Sequence, residues 1–210
     1  MPRFTWTYRQ FVGGNPALDL VNTVIYPDDA TRRFDRLADA TDVRRWTAAG
    51  VGLGKLPAEL KGGRITEADR GRLTALRDAA DRAFRPVAEA KPVPGEALAG
   101  LFAHAATRAA RLRFAPGERG IAPALDRGRL AAGARLHAHV AYAALALAFS
   151  ADLMRVKACP NCAWLFIDRS RNQRRRWCDM EVCGNRAKSR RYYERRRAAD
   201  PAVAISRKRG

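Results

Sequence analysis

Apolar positions recur at helical spacing over most of this 210-residue chain and change character only near its end. Leu18, Val21, Asn22 and Ile25 stand at i, i+3, i+4 and i+7, which predicts a first helix from Pro16 to about Tyr26. Asn15 is placed to cap it, Pro16 suits its first position, and Pro27-Asp28-Asp29 ends it. A second helix carries Val43 and Trp46, starts from Asp39 or Thr41, and closes at Gly50. Residues 50–63 are glycine-rich and loop-like. Thr66-Glu67-Ala68-Asp69 approximates a capping box, and Leu73, Leu76, Ala80, Ala83, Phe84 and Val87 follow as one amphipathic face. Pro86 lies inside that face and is expected to kink or shorten the helix. Leu98, Leu101, Phe102, Ala105 and Ala109 mark the next helix. Arg111–Ala115 and Ile121–Leu125 read as a short hairpin turning at Pro116-Gly117. Arg129–Met154 then reads as one long, alanine-rich helix, apolar on several sides, the central helix of a bundle. The fold class is mainly α, with a helical-bundle domain over 1–154.

From Cys159 the pattern breaks. CPNCAWLFIDRSRNQRRRWCDMEVCGNRAKSRRYYERRR, residues 159–197, holds all four cysteines of the chain: Cys159, Cys162, Cys178 and Cys183. Two close pairs separated by a hairpin's length of chain suit one tetrahedral ion. Four soft thiolates point to zinc, with iron the alternative that spacing leaves open. The site would be closed, hence structural, and would supply the folding free energy that so short a segment cannot get from apolar burial. Ala163–Asp168 reads as a strand, Ser170–Gln173 as a turn, Arg174–Trp177 as the returning strand and Arg186–Arg197 as a helix. This is the plan of a small treble-clef-like zinc finger with four cysteine ligands, a short β-hairpin plus a basic helix, over 155–198. Residues 199–210 read as a basic tail. Only Arg155–Ala158 join finger to bundle, so the two parts are expected to be docked rather than tethered.

Charge sharpens the picture. The chain carries 40 Lys plus Arg against 21 Asp plus Glu, and residues 151–210 alone hold 17 basic and 6 acidic side chains. That asymmetry points to a polyanion partner. The expected nucleic-acid contacts are Arg171, Arg174, Arg175 and Arg176 from the turn, and Arg186, Lys188, Arg190 and Arg191 from the helix. The partner expected first is double-stranded DNA. RNA stacked on aromatics such as Trp164, Phe166, Trp177, Tyr192 and Tyr193 is one alternative, although most of these suit a small core around the metal. An acidic protein partner is another. The chain opens without a secretory signal, and its longest apolar run, Val140–Phe149, is far short of a membrane span. Cysteines confined to one metal pattern fit a reducing cytoplasm.

WCDMEVCGNRAK resembles the signature of the CGNR zinc-finger family, whose name spells Cys183–Arg186, and the preceding CPNCAWLFIDRSRNQRRRWC is similar to that family's first half. The opening FVGGNPALDLVNT, residues 11–23, resembles the start of ABATE, the helical domain that usually precedes this finger. The resemblance implies a stress-induced transcription regulator with a zinc-bearing, DNA-binding finger and a sensing or dimerising helical domain. Gly14, Asn15, Asp19 and Asn22 lie in the opening motif and are the candidate pocket for a small-molecule effector. Asn22 has a second reading, a buried amide bonding to a neighbouring loop backbone. His104, His137 and His139 read as ordinary core or surface residues. No nucleophile stands with a plausible base, so no catalytic residue and no enzyme activity is expected. A homodimer is compatible with the sequence, although no heptad pattern marks one.

Overall fold

The structure, a computed structural model, describes residues 4–107, 109, 112–117, 120–125, 128 and 130–199. Six α-helices dominate the described residues, with three two-stranded antiparallel hairpins between them. Helix α1 is Pro16–Val21, followed by strands β1 (Val24–Ile25) and β2 (Phe34–Asp35). Helices α2 (Ala40–Gly52), α3 (Glu67–Ala88) and α4 (Gly95–Ala106) come next. Strands β3 (Arg113–Gly117) and β4 (Gly120–Ala124) lead to α5 (Ala132–Ala148). Strands β5 (Val156–Ala158) and β6 (Leu165–Ile167) and helix α6 (Asn185–Ala199) complete the described chain.

Local chemistry explains most starts and stops. The Asn15 carboxamide accepts from Ala17 N–H, the Asp39 carboxylate caps α2, and Thr66 and Asp69 form a full capping box on α3. Several expected boundaries are corrected. Helix α1 stops at Val21 instead of Tyr26. Thr23 turns its hydroxyl onto the Leu20 carbonyl, and the β-branched Thr23, Val24 and Ile25 favour the extended backbone that β1 takes up. Gly50 does not end α2. It lies buried inside the helix because a Cβ there would stand 2.7 Å from the Leu56 side chain. Pro86 leaves α3 running to Ala88, since only the last turn loses its hydrogen bond. The long helix expected to reach Met154 ends at Ala148. Beyond it Ser150 bonds back to the Leu147 carbonyl, and a 3-10 turn over Ala151–Arg155 redirects the chain. Helix α4 also stops short of Ala109, at Ala106.

The β3–β4 hairpin forms as expected, but Pro116 and Gly117 belong to the strand, with Gly117 opposite Gly120. Arg111, the expected start of that hairpin, Arg129, the expected start of the long helix, and the tail from residue 200 onward lie outside the described residues.

The core is built on α3. Its Leu73, Leu76, Ala80 and Phe84 pack with Leu18 and Leu20 of α1, Leu101 of α4 and Leu136, Val140 and Ala144 of α5. Trp46 of α2 is fully buried and stacks on Phe11 at 5.8 Å. Arg77, buried on α3, makes a two-pronged ion pair with Asp35 at 2.8 Å in each arm, tying the β1–β2 hairpin to the bundle. The same core takes in Val156, Leu165 and Ile167 of the β5–β6 hairpin. The β5–β6 hairpin is thus packed on the bundle.

Candidate metal centre and the basic helix it anchors

The returning strand expected at Arg174–Trp177 is not formed. Strand β6 pairs instead with β5, upstream of the first cysteine, in the register Val156↔Ile167 and Ala158↔Leu165. The reason is local. Arg175 is held by its N–H to Asp168 and by its guanidinium to the Trp177 and Cys178 carbonyls, so this stretch coils around side-chain bonds and offers no free edge. Cys159 and Cys162 therefore sit at the tip of the β5–β6 hairpin. Cys159 N–H bonds to the Trp164 carbonyl, Ala163 N–H bonds to the Cys159 carbonyl, and Ala163 takes φ +60° to close the turn.

Cys178 and Cys183 come to this tip from the other side. Asp179 caps a π-helical turn, Met180–Gly184, which contains Cys183 and runs directly into α6. The four sulfurs lie within 4.8 Å of one another, and three of their separations are 3.5, 3.6 and 3.7 Å. A regular tetrahedron with metal–sulfur bonds of about 2.3 Å has edges of about 3.8 Å. The thiols are buried, none is in a disulfide, and the Asn161 amide reaches the Cys183 sulfur at 3.5 Å. The residues fit a metal ion, and all four sulfurs would be used in holding it. Trp164, Phe166, Trp177 and Val182 pack around the cluster, together with Val12, Ile25 and Tyr26 from the other end of the chain.

Helix α6 leaves the cluster with Ala187 as the one buried side chain over residues 185–197. Arg186, Lys188, Arg190 and Arg191 are all exposed, as are Arg195, Arg196 and Arg197, against the single acid Glu194. Arg171, Arg174 and Arg176 are exposed on the preceding loop, whereas Arg175 is spent inside the finger. Tyr192 and Tyr193 do not join the small core around the metal. They are 51% and 62% exposed and touch each other edge-on at 5.6 Å, because α6 has left the cluster by that point.

The ABATE family model, described as a putative stress-induced transcription regulator, matches residues 14–151, and the CGNR zinc finger model matches residues 155–196. The chain belongs to the ABATE family. Its finger is of the CGNR type. No curated protein gives a significant match.

The ABATE opening motif and the CGNR finger, more than a hundred residues apart in sequence, meet along one edge of β6. The Asn22 amide donates to the Leu165 carbonyl and its oxygen accepts from Leu165 N–H, both at 2.8 Å, so one side chain pairs with the strand as a neighbouring strand would. Gly13 accepts from Ile167 N–H at 3.0 Å, and Gly14 accepts from Arg169. The Trp164 indole donates to the Val24 carbonyl, and Arg85 of α3 donates to Ala163. Gly13 must be glycine because a Cβ would meet the Leu18 Cβ at 2.8 Å, and Gly14 takes φ +77°. The four positions expected to form an effector pocket in the ABATE region are thus committed to internal bonds. Asn15 caps α1 and donates to Ala143, Asp19 accepts from Gly13 N–H, and Gly14 and Asn22 hold the CGNR finger. Arg85 and Asp168 carry no sequence signal for their roles. Asp168, fully buried, gathers Lys157, Ser170 and Arg175 N–H. Burial alone would raise its carboxyl, but the Lys157 and Ser170 hydrogen bonds outweigh that and hold it well below the usual range.

Asp19 behaves in the opposite way. Burial pushes its carboxyl up to about 7, against the smaller lowering effects of the Gly13 N–H and Lys55. A carboxyl raised in the folded state is protonated there while its unfolded counterpart is ionised, so stability falls as pH rises from about 4 to about 7. Asp19→Asn keeps the acceptor for Gly13 without the titration. The variant is expected to be more stable than the parent at pH 8 by up to about 4 kcal/mol, a bound set by about three pKa units, with the gain vanishing at pH 4. Chemical denaturation at the two pH values measures it. A parent at least as stable as the variant at pH 8 would show that Asp19 is ionised and satisfied in the fold.

Proposed function

We propose that this protein is a DNA-binding transcriptional regulator whose finger holds zinc through Cys159, Cys162, Cys178 and Cys183. The observation that carries the reading is α6 itself, a helix rooted in a tetrathiol cluster, presenting seven basic side chains against one acid and, over residues 185–197, burying only Ala187. A helix with so little apolar surface gains nothing from packing on its own protein. Its basic side chains suit the phosphates flanking a major groove, where two or three of Arg186, Arg190 and Arg191 would reach base edges. Arg171, Arg174 and Arg176 grip the backbone. Four thiolates select zinc and leave no open coordination position, so the metal's role is to hold the helix. In this reading residues 1–154 are the sensing or dimerising half, 155–198 the binding half, and the protein works in the cytoplasm, where its thiols stay reduced.

Salt dependence of binding to sheared genomic DNA tests the reading. With six to ten phosphates neutralised, affinity is expected to fall about 10³–10⁵-fold between roughly 50 and 200 mM salt. Arg174→Ala together with Arg176→Ala should weaken binding and lower the slope of log affinity on log salt by about two. A flat response in the metal-loaded protein would defeat the proposal. RNA is the second reading, favoured by the exposure of Tyr192 and Tyr193 on the same helix. It predicts that substituting either tyrosine costs affinity for single strands at unchanged folding, about 1–3 kcal/mol per stacked base.

A further inference from the structure

The β3–β4 hairpin, α4 and α5 share an exposed apolar face. The antiparallel register puts Phe114 and Pro116 of β3 on one side of the hairpin, together with Ile121 and Pro123 of β4. Phe114 packs edge-on against Tyr142 of α5 at 5.0 Å, so this side turns toward the helix. Ile121, two residue pairs further out, nevertheless stays 78% exposed. The hairpin is therefore an arm whose inner, apolar side reaches past its own body. Tyr142 and Leu145 carry the face along α5 to Phe149, just past its end, and Phe149 meets Phe102 of α4 at 5.8 Å. Ala99, Ala103 and Ala106 extend it along α4, all exposed and three or four positions apart. Charge is missing from these stretches. Residues 97–107, 114–117, 120–125 and 136–149 contain no Lys, Arg, Asp or Glu, in a chain in which 29% of residues are charged.

We infer that this face is a two-fold interface with a second copy of this chain, the arm of each copy lying over α5 of the other. Area supports it. Phe102, Phe114 and Phe149 are 48%, 42% and 68% exposed, which at about 200 Å² per aromatic side chain leaves roughly 300 Å² of ring open. Ile121, Pro116 and the exposed alanines bring the face to roughly 700 Å², more than a monomer usually shows in one patch and close to the ~800 Å² that each partner gives to a standard interface. Charge selects the occupant. The chain carries a net +19, so a foreign partner of opposite sign is steered to its basic surfaces and finds no Lys or Arg on these stretches to pair with. Two identical chains repel everywhere except through a face that carries no charge, and an isologous contact sets that face against itself. The inference takes the dimerising role for residues 1–154 and gives it a surface. It does not depend on what α6 binds.

Sedimentation of the zinc-loaded full chain tests the interface, with nucleic acid left out so that its failure and that of the DNA-binding reading stay apart. A dimer with a dissociation constant at or below about 10 µM is expected. Ile121→Glu on the arm and Phe149→Glu beside α5, both at exposed positions, should each raise that constant about tenfold or more at unchanged circular dichroism. Raising the salt from roughly 50 to roughly 500 mM should leave the dimer intact or tighten it, because salt screens the repulsion between two basic chains and the contact holds no ion pair to lose. That is the opposite of the response expected for DNA. A chain still monomeric at about 100 µM, a dimer that either folded variant leaves unmoved, or a dimer that salt dissolves would overturn the interface.

Discussion

Cys183→Ser, or removal of the metal by a chelator, is expected to release residues 169–199 while the β5–β6 hairpin and the helical bundle stay folded, and to abolish nucleic-acid binding. Within residues 169–197 the side chains that are buried are Cys178, Cys183 and Ala187, too little apolar surface to hold the segment without its ion. A structural zinc site contributes on the order of 10–16 kcal/mol to the fold it organises. The hairpin is anchored differently. Val156, Leu165 and Ile167 are part of the main core, and β6 is bonded to Asn22 and Gly13, none of which involves a sulfur. Circular dichroism should therefore lose about one helix, that of α6, and limited trypsin digestion should cut freely from Arg169 onward while the chain before it survives. Loss of the whole helical signal would mean that bundle and metal centre unfold as one. An α6 that remained protected would mean that the metal is not its anchor.

The helical class and the gathering of four cysteines were legible because each rests on short-range pattern. Capping residues lie within three positions of the turns they satisfy, and the cysteine pairs announce themselves by spacing. The pairing of β6 was not legible. Val156–Ala158 is three residues long and precedes the first cysteine, while Arg174–Trp177 stands where a finger hairpin would return. What decides between them is the side chain of Arg175 and the edge offered by Asn22, and neither follows from alternation of apolar residues. The fate of the opening motif was hidden for the same reason. Asn22 interrupts the apolar face of the longer first helix that the sequence predicts, which marks it as purposeful but leaves pocket and structural bond equally open. Only the meeting with Leu165, 143 positions later, distinguishes them.

Asn22→Ala is expected to be among the most damaging single substitutions outside the metal centre. Asn22 is 1% exposed, and its amide satisfies both the N–H and the carbonyl of Leu165, itself fully buried. Truncation leaves two buried backbone groups without partners, at about 1–3 kcal/mol each, so a loss of about 2–6 kcal/mol follows. In a chain of this size each kcal/mol lowers Tm by about 2–4 °C, which places the expected shift at roughly 5–20 °C in thermal unfolding. Asn22→Asp keeps size and shape but sets an oxygen against the Leu165 carbonyl. It should therefore destabilise nearly as much, which a purely volumetric role for Asn22 would not produce. A shift below about 2 °C for both variants would mean that Leu165 finds other partners and that the opening motif does not hold the finger. The clamp and the metal secure different parts of the finger, one the hairpin and the other the segment leading into α6. Asn22→Ala should consequently lower the melting of the bundle and hairpin by a similar amount whether the metal is present or stripped, as expected of sites without shared partners. A loss that appears only in the metal-free protein would instead show the ion and the Asn22 amide bracing the same strand.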